Sequence, residues 1–324
     1  TVLIARKPFS AADVERARAI AEEAKLQVVY LPGMVSDSPF AQVLTLPDLT
    51  AYIAGYPFDI STVDDNRPFF FYTVQPRDLW GFLVSPEGKS ADYKINKAVP
   101  LLFSLVGISL VATLVILALP PVVLGTKLPR EKGVLRFLLY FLCIGVGYIL
   151  IQVALIQKFV LLLGHPTYAL TVIIFSMLIS SGLGSYFSKR IVNQNGERLR
   201  IVLLLIVILV PVLGYFAELV SGLGPAWPLA GKMLVTVMVI APLGFLMGIP
   251  FPTGLAALEG WEKSAVRWGW SMNAAASVMG SAMAIFFAIY LGLYQTLVLG
   301  GLLYLLAAWI YRGTAERAGG GAKA

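Results

Sequence analysis

The chain has 324 residues, of which 58% are hydrophobic and 13% charged, and its mean hydropathy is +0.80. A soluble domain is about 45–50% apolar and about 25% charged, so these values exclude an ordinary soluble protein and indicate a polytopic membrane protein. The net charge of +7 does not mark a nucleic-acid binder, because the lysines and arginines sit mostly in short segments between apolar runs, where positive charge orients membrane helices. Cys143 is the only cysteine, which excludes an intramolecular disulfide and a cysteine-based metal site.

Residues 1–97 carry the alternation of a soluble chain. "TVLIA" reads as a strand, "SAADVERARAIAEEAK" as a helix and "LQVVYLPG" as a second strand ending in a turn. Ser10 and Asp13 have the spacing of a capping box, and Val14, Ala17, Ala21 and Ala24 fall on one face of the helix. This is one α/β unit. A complete doubly wound nucleotide-binding domain needs several, with a glycine-rich turn after an early strand. Gly145–Gly147, Gly182–Gly184 and Gly222–Gly224 are GxG triplets that lie within or at the end of apolar runs instead. The strand-like opening at Thr1, without a signal-peptide pattern, is expected of the remainder of a longer chain.

"TVDDNRPFFFYTVQ", residues 62–75, places paired carboxylates and an arginine before three phenylalanines. Acid/base or metal work by Asp64 and Asp65 needs partners converging from elsewhere, and the sequence identifies none. We read the stretch as a joint between soluble part and membrane. Asp64 and Asp65 make a turn, Arg67 pairs with one of them, Pro68 ends it, and Phe69, Phe70 and Phe71 present apolar surface to the bilayer or bundle.

Seven apolar runs follow, near 98–119, 135–163, 166–188, 199–220, 232–250, 268–291 and 294–311, each about the length a helix needs to cross a bilayer. The second is long enough to tilt or break near Gln157 and Lys158. Pro250 and Pro252 are expected to end the fifth. The domain layout is therefore a soluble part (1–97), a multispan helical bundle (98–311) and a mobile tail (312–324). Lys127, Arg130, Lys132 and Arg136 fill the first loop, Lys189, Arg190, Arg198 and Arg200 the third, and Lys263 and Arg267 the fifth. The alternate loops hold little positive charge, so loops one, three and five and the C-terminus are expected in the cytoplasm.

Polar groups at membrane depth are the other candidates. Ser176, Ser180 and Gly184 form one stripe, and Asn273, Ser277 and Ser281 form another; close packing and interhelical hydrogen bonds are the expected use of such residues. Lys158 follows Gln157 and precedes the chain's only histidine, His165. Two readings stand for this group: a lysine that snorkels to the interface, or a substrate or ion site drawing on Gln152, Gln157, Lys158, His165 and Asn273.

"GYILIQVALIQKFVLLLGHPTYALTVIIFSMLISSGLGSYFSKR" (147–190), "GIPFPTGLAAL" and "WGWSMNAAASVMGSAMAI" resemble the membrane portion of bacterial spermidine-synthase-like proteins, "YPFDISTVDDNRPFFF" the run-in to it, and "TVLIARKPFSAADVERARAIAEEAKLQVVYLPG" the end of their nucleotide-binding domain. In that family a polyamine aminopropyltransferase-type domain is fused to multispan helices. The resemblance implies that residues 1–97 are the end of a Rossmann-like domain. It also implies that S-adenosylmethionine, or its decarboxylated form, binds in an upstream half whose glycine-rich loop and catalytic aspartate have no counterpart here. Asp64, Asp65 and Arg67 match the family's Asp-Asp-x-Arg-Pro-Phe-Phe element, with no catalytic role attached.

The expected function is to anchor an aminopropyl- or methyltransferase-type domain in a bacterial cell membrane, with the lipid bilayer and the upstream half or a partner chain as partners. No cofactor is expected to bind this chain itself. The alternative is a transporter-like or scaffold subunit of a larger membrane complex without enzymatic activity. Burying a polyamine takes paired carboxylates or aromatic cages, and the spans offer only Glu218, near an end, which argues against a polyamine channel.

Overall fold

The computed structural model describes residues 2–34, 38–70, 72–74, 98–123, 133–193, 195–224 and 226–320. Phe71 lies outside them. The chain divides into an N-terminal unit, residues 1–62 with 73–77, and a larger unit, residues 63–72 with 78–324.

The N-terminal unit contains α1 (Ala11–Glu23), α2 (Pro39–Thr45) and α3 (Leu49–Gly55). The α1 start has the predicted reciprocal cap: the Asp13 N–H donates to Ser10 Oγ (3.2 Å) and the Ser10 N–H donates to the Asp13 carboxylate (3.0 Å). Ser38 and Asp48 open α2 and α3 by accepting from the N–H groups of Phe40 and Ala51. Residues 2–5 and 26–31, expected as strands, form none, and the described residues contain no β-strand. A strand is held by its neighbours' ladder, and this stretch supplies no partner. Val2, Leu3, Ile4 and Leu26 are consequently exposed. The Asp59 N–H donates to the Thr73 carbonyl at 2.6 Å, tying together the two pieces of this unit.

The larger unit is a helical bundle of α4 (Ala98–Val123), α5 (Val134–Leu163), α6 (Pro166–Val192), α7 (Gly196–Leu223), α8 (Leu229–Gly248), α9 (Pro250–Trp261), α10 (Val266–Tyr290) and α11 (Leu293–Gly320), with a 3-10 turn at Lys263–Ala265. Six segments are long and apolar enough to cross a membrane: α5, α6, α7, α8 with α9, the 3-10 turn with α10, and α11. In α4 the apolar stretch of described residues, Leu101–Val115, is shorter.

Helix α5 is the hub, packing on α6, α7, α10 and α11. Its buried face runs from Val134 to Leu163 with Phe137, Phe141, Leu150, Ile151 and Leu155 near zero exposure. It is continuous through Gln157 and Lys158, because neither residue removes a backbone hydrogen bond as proline does. Proline explains the other expected interruption. Pro250 has no N–H to continue α8, so α8 ends at Gly248, yet the fixed φ of proline suits a first helical turn and α9 begins at Pro250 itself.

Small residues set the helix spacings. A Cβ on Gly244 would strike Ser180, and Cβ atoms on Gly184 and Gly248 would strike the backbone carbonyls of Phe245 and Ser181, so α6 and α8 touch backbone to backbone. The α5–α10 seam is similar, with Gly145 against Asn273 and Ala276, and Gly280 against Val146. The serines of the two stripes do not bridge helices as expected. Ser180 and Ser277 donate to the carbonyls of Ser176 and Asn273 on their own helices, at 2.6 and 2.9 Å. A hydroxyl one turn beyond a carbonyl finds that acceptor without any neighbour.

Candidate functional site

The two ends of the bundle differ in charge. At one end lie the α5 start, the α6–α7 turn, the α9–α10 turn and the α11 end. Tyr140 Oη donates to the Pro250 carbonyl there (2.8 Å), and the Arg136 guanidinium sits 4.5 Å over the Trp309 ring. Lys189, Arg190, Arg198, Arg200, Lys263 and Arg267 belong to this end. The opposite end gathers the α5–α6, α7–α8 and α10–α11 turns, and a Cβ on Gly224, at the α7 end, would run into Leu162 near the α5 end.

Residues 63–70 dock at this second end. The Asp64 carboxylate accepts from the N–H groups of Asn66 (2.9 Å) and Arg67 (2.7 Å), the geometry of an Asx turn. That turn aims Asn66 at the start of α11. The Asn66 carbonyl accepts from the Leu293 N–H (2.8 Å), its Oδ1 from the Tyr294 N–H (2.7 Å), and its Nδ2 donates to Gln295 Oε1 (2.9 Å). The first N–H groups of a helix have no partner within it, and Asn66 satisfies two of them from a distant part of the chain. Arg67 serves the neighbouring helix, its Nε donating to the Ile289 carbonyl (3.2 Å) in the last turn of α10, where a cation also suits the helix dipole. Phe69 packs edge-on to Tyr72, ring centres 6.1 Å apart, and Phe70 is 70% exposed. Asp64 and Asp65 are both exposed.

Gly292, between α10 and α11, has φ +110. A side chain is strained in that conformation, and a Cβ would also collide with Asn66 Nδ2. The glycine both turns the chain and leaves room for the asparagine.

The five polar residues considered as a ligand site do not converge. His165 is exposed and caps α6, its Nδ1 accepting from the Thr167 N–H at 3.2 Å. Gln152 and Gln157 are half-buried on α5. Asn273 packs on Gly145, which lies thirteen residues from Lys158 on the same helix, or about 20 Å along its axis. Lys158 alone is nearly fully buried, at 6% exposure. Among the described residues its ammonium makes no hydrogen bond or close ion pair.

Asn66 is the residue that sequence reasoning passed over. An asparagine between an aspartate and an arginine reads locally as a turn former, and its partners at 293–295 leave no local signal. The one available clue was Gly292 before Leu293, a helix start without a side-chain cap of its own. Compared with protein-family models, curated proteins and solved structures, the chain matches none of them.

Proposed function

We propose that this chain is the membrane-embedded portion of a spermidine-synthase-like protein, anchoring an aminopropyl- or methyltransferase-type domain at a bacterial cell membrane. The observation that carries the reading is the use of Asn66 and Arg67, inside the Asp-Asp-x-Arg-Pro-Phe-Phe element, as caps on α10 and α11. A motif engaged through backbone groups of the bundle does the work of an attachment. The separation of Asn273 from Lys158 favours the anchor over the transporter-like alternative, which needs its polar groups gathered at one depth.

In this reading α4 is a seventh span, the basic loops and the C-terminus face the cytoplasm, and residues 1–97 are the end of a Rossmann-like domain whose strands lie elsewhere. In the same reading S-adenosylmethionine, or its decarboxylated form, binds the upstream half or a partner chain. The test is the intact mass of the native gene product with its N-terminus mapped, followed by S-adenosylmethionine binding to that product. Extra residues before Thr1 together with cofactor binding support the anchor. A native product that matches this chain and binds no cofactor overturns it in favour of a scaffold or transporter. Lys158→Ala and Asn273→Ala separate the transporter from the anchor: a transporter loses activity with its fold intact, whereas an anchor changes only in stability.

A further inference from the structure

The Arg136 guanidinium, from the first turn of α5, lies 4.5 Å over the ring of Trp309 on α11. Stacking occupies one face of the guanidinium and leaves its N–H edge clear, and among the described residues no oxygen accepts from that edge. The arginines around the α6–α7 turn are engaged differently. Arg198 donates to the Ile191 carbonyl (3.3 Å), Arg200 pairs with Glu197 (3.4 Å), and Arg190 lies 5.8 Å over Phe187 of its own helix. Arg136 is thus a half-buried cation held in place by a ring from a second helix, with its donors pointing to no acceptor of the bundle.

Trp309 is 62% exposed, and Leu302, Leu305 and Leu306 are exposed on the same side of α11, at the three- and four-residue spacings that share a helix face. This apolar strip runs about 10 Å from Trp309 toward the middle of the helix. An indole at the end of such a strip belongs at the boundary between acyl chains and headgroups. Arg136 is therefore at the level of the lipid phosphates. Among the described residues, the lysines and arginines placed at this end face only Glu197, Glu259 and Glu262 as opposing carboxylates, a balance that favours a ligand with net negative charge.

We propose that Arg136 and Trp309 form a binding site for an anionic phospholipid in the leaflet at the basic end of the bundle. The guanidinium edge donates to two oxygens of the phosphodiester, a bidentate contact for which the planar fork is suited. The indole fixes the fork beforehand, so less freedom is lost on binding. One acyl chain lies along Leu306, Leu305 and Leu302. A zwitterionic lipid offers the same phosphate but brings an ammonium into a positive region, and binds less tightly. The proposal concerns the bundle alone and does not depend on the anchoring role.

The experiment uses the full chain, purified in neutral detergent and stripped of lipid, with thermal unfolding followed on addition of dioleoyl phosphatidylglycerol or phosphatidylcholine in mixed micelles. Phosphatidylglycerol is expected to bind about tenfold tighter and to raise the midpoint further. Arg136→Gln is expected to remove most of that preference, while Arg267→Gln, an equal loss of charge at an exposed position of the same end, leaves most of it. Trp309→Leu keeps the apolar strip but releases the guanidinium, and is expected to weaken phosphatidylglycerol severalfold; its exposed position lets it carry the test if Arg136→Gln does not fold. Equal shifts from the two lipids, equal losses in Arg136→Gln and Arg267→Gln, or an unchanged preference in Trp309→Leu each overturn the proposal. Free glycerol 3-phosphate is the control for source: a shift matching that of phosphatidylglycerol overturns the lipid assignment in favour of a soluble phosphate.

Discussion

Asn66 Oδ1 accepts a hydrogen bond from the Tyr294 N–H at 2.7 Å, across a sequence separation of 228 residues. Helix caps are ordinarily supplied by the residue just before the helix. Here Gly292 occupies that place and has no side chain to offer, so the acceptor comes from the segment before the bundle.

Asn66→Ala removes the Oδ1 acceptor and the bond to Gln295, leaving the Asn66 carbonyl on Leu293. The expected loss is about 2 kcal/mol of bundle stability, read as a lower unfolding midpoint in detergent. Asn66→Asp keeps the acceptor and loses the donor to Gln295, and should fall between wild type and Asn66→Ala. Equal midpoints for all three proteins would show that the cap contributes nothing.

Gly292→Ala should be the more damaging change at the same turn. It places a side chain at φ +110 and against Asn66 Nδ2, for an expected cost of about 1–3 kcal/mol from backbone strain in addition to the displaced cap. Because both substitutions act on one contact, Asn66→Ala combined with Gly292→Ala should cost less than the sum of the two. A double-mutant cycle in thermal unfolding measures this, and strict additivity would contradict the shared contact.

At the α6–α8 seam, Gly248→Ala drives a methyl group into the Ser181 carbonyl, and backbone cannot step aside as a flexible side chain can. The helices must separate, at an expected cost of about 1–3 kcal/mol. Gly182→Ala is the control, since open space surrounds that glycine, and it should leave the midpoint unchanged or slightly raised.

Two carboxylates outside the spans give an acid response. The Ser10 hydroxyl and then its N–H hold the Asp13 carboxyl below its usual range, and the hydroxyl and N–H of Ser264 do the same for Glu262. A folded-state value below the unfolded one means that each contact contributes fully above the unfolded value, about 3.9 for Asp and about 4.3 for Glu. The contribution is lost as the pH falls through the depressed folded value. Amide exchange at residues 11–14 should therefore accelerate as the pH drops below about 4, beyond the intrinsic trend, and Ser10→Ala should abolish the change.

The sequence showed which elements are helices far better than it showed where polar groups act. Runs of about 20 apolar residues identify spans because the bilayer demands them, and Ser10 with Asp13 announces α1 because a capping box is local. The strands expected at 2–5 and 26–31 depended on neighbours that local pattern does not reveal. The interhelical bonds expected of Ser180 and Ser277 lost to carbonyls one turn back on the same helix. Lys158 was legible as unusual from its charge alone, while its burial at 6% exposure depends on how the neighbouring helices pack on α5, which spacing along the chain does not encode. Asn66 was illegible because its role is defined entirely by residues 293–295.

The docked segment also ties together the two ends of synthesis. Asn66 leaves the ribosome 228 residues before the amide that it satisfies. At about 5–20 residues per second, that is an interval of about 10–50 s. During it the segment that closes the last hairpin must stay at the correct end of the growing bundle while helices α4 to α10 are laid down. A chain that stops before α11 leaves Asn66 without the helix it caps, so this cap reports that the last helix has been made and placed.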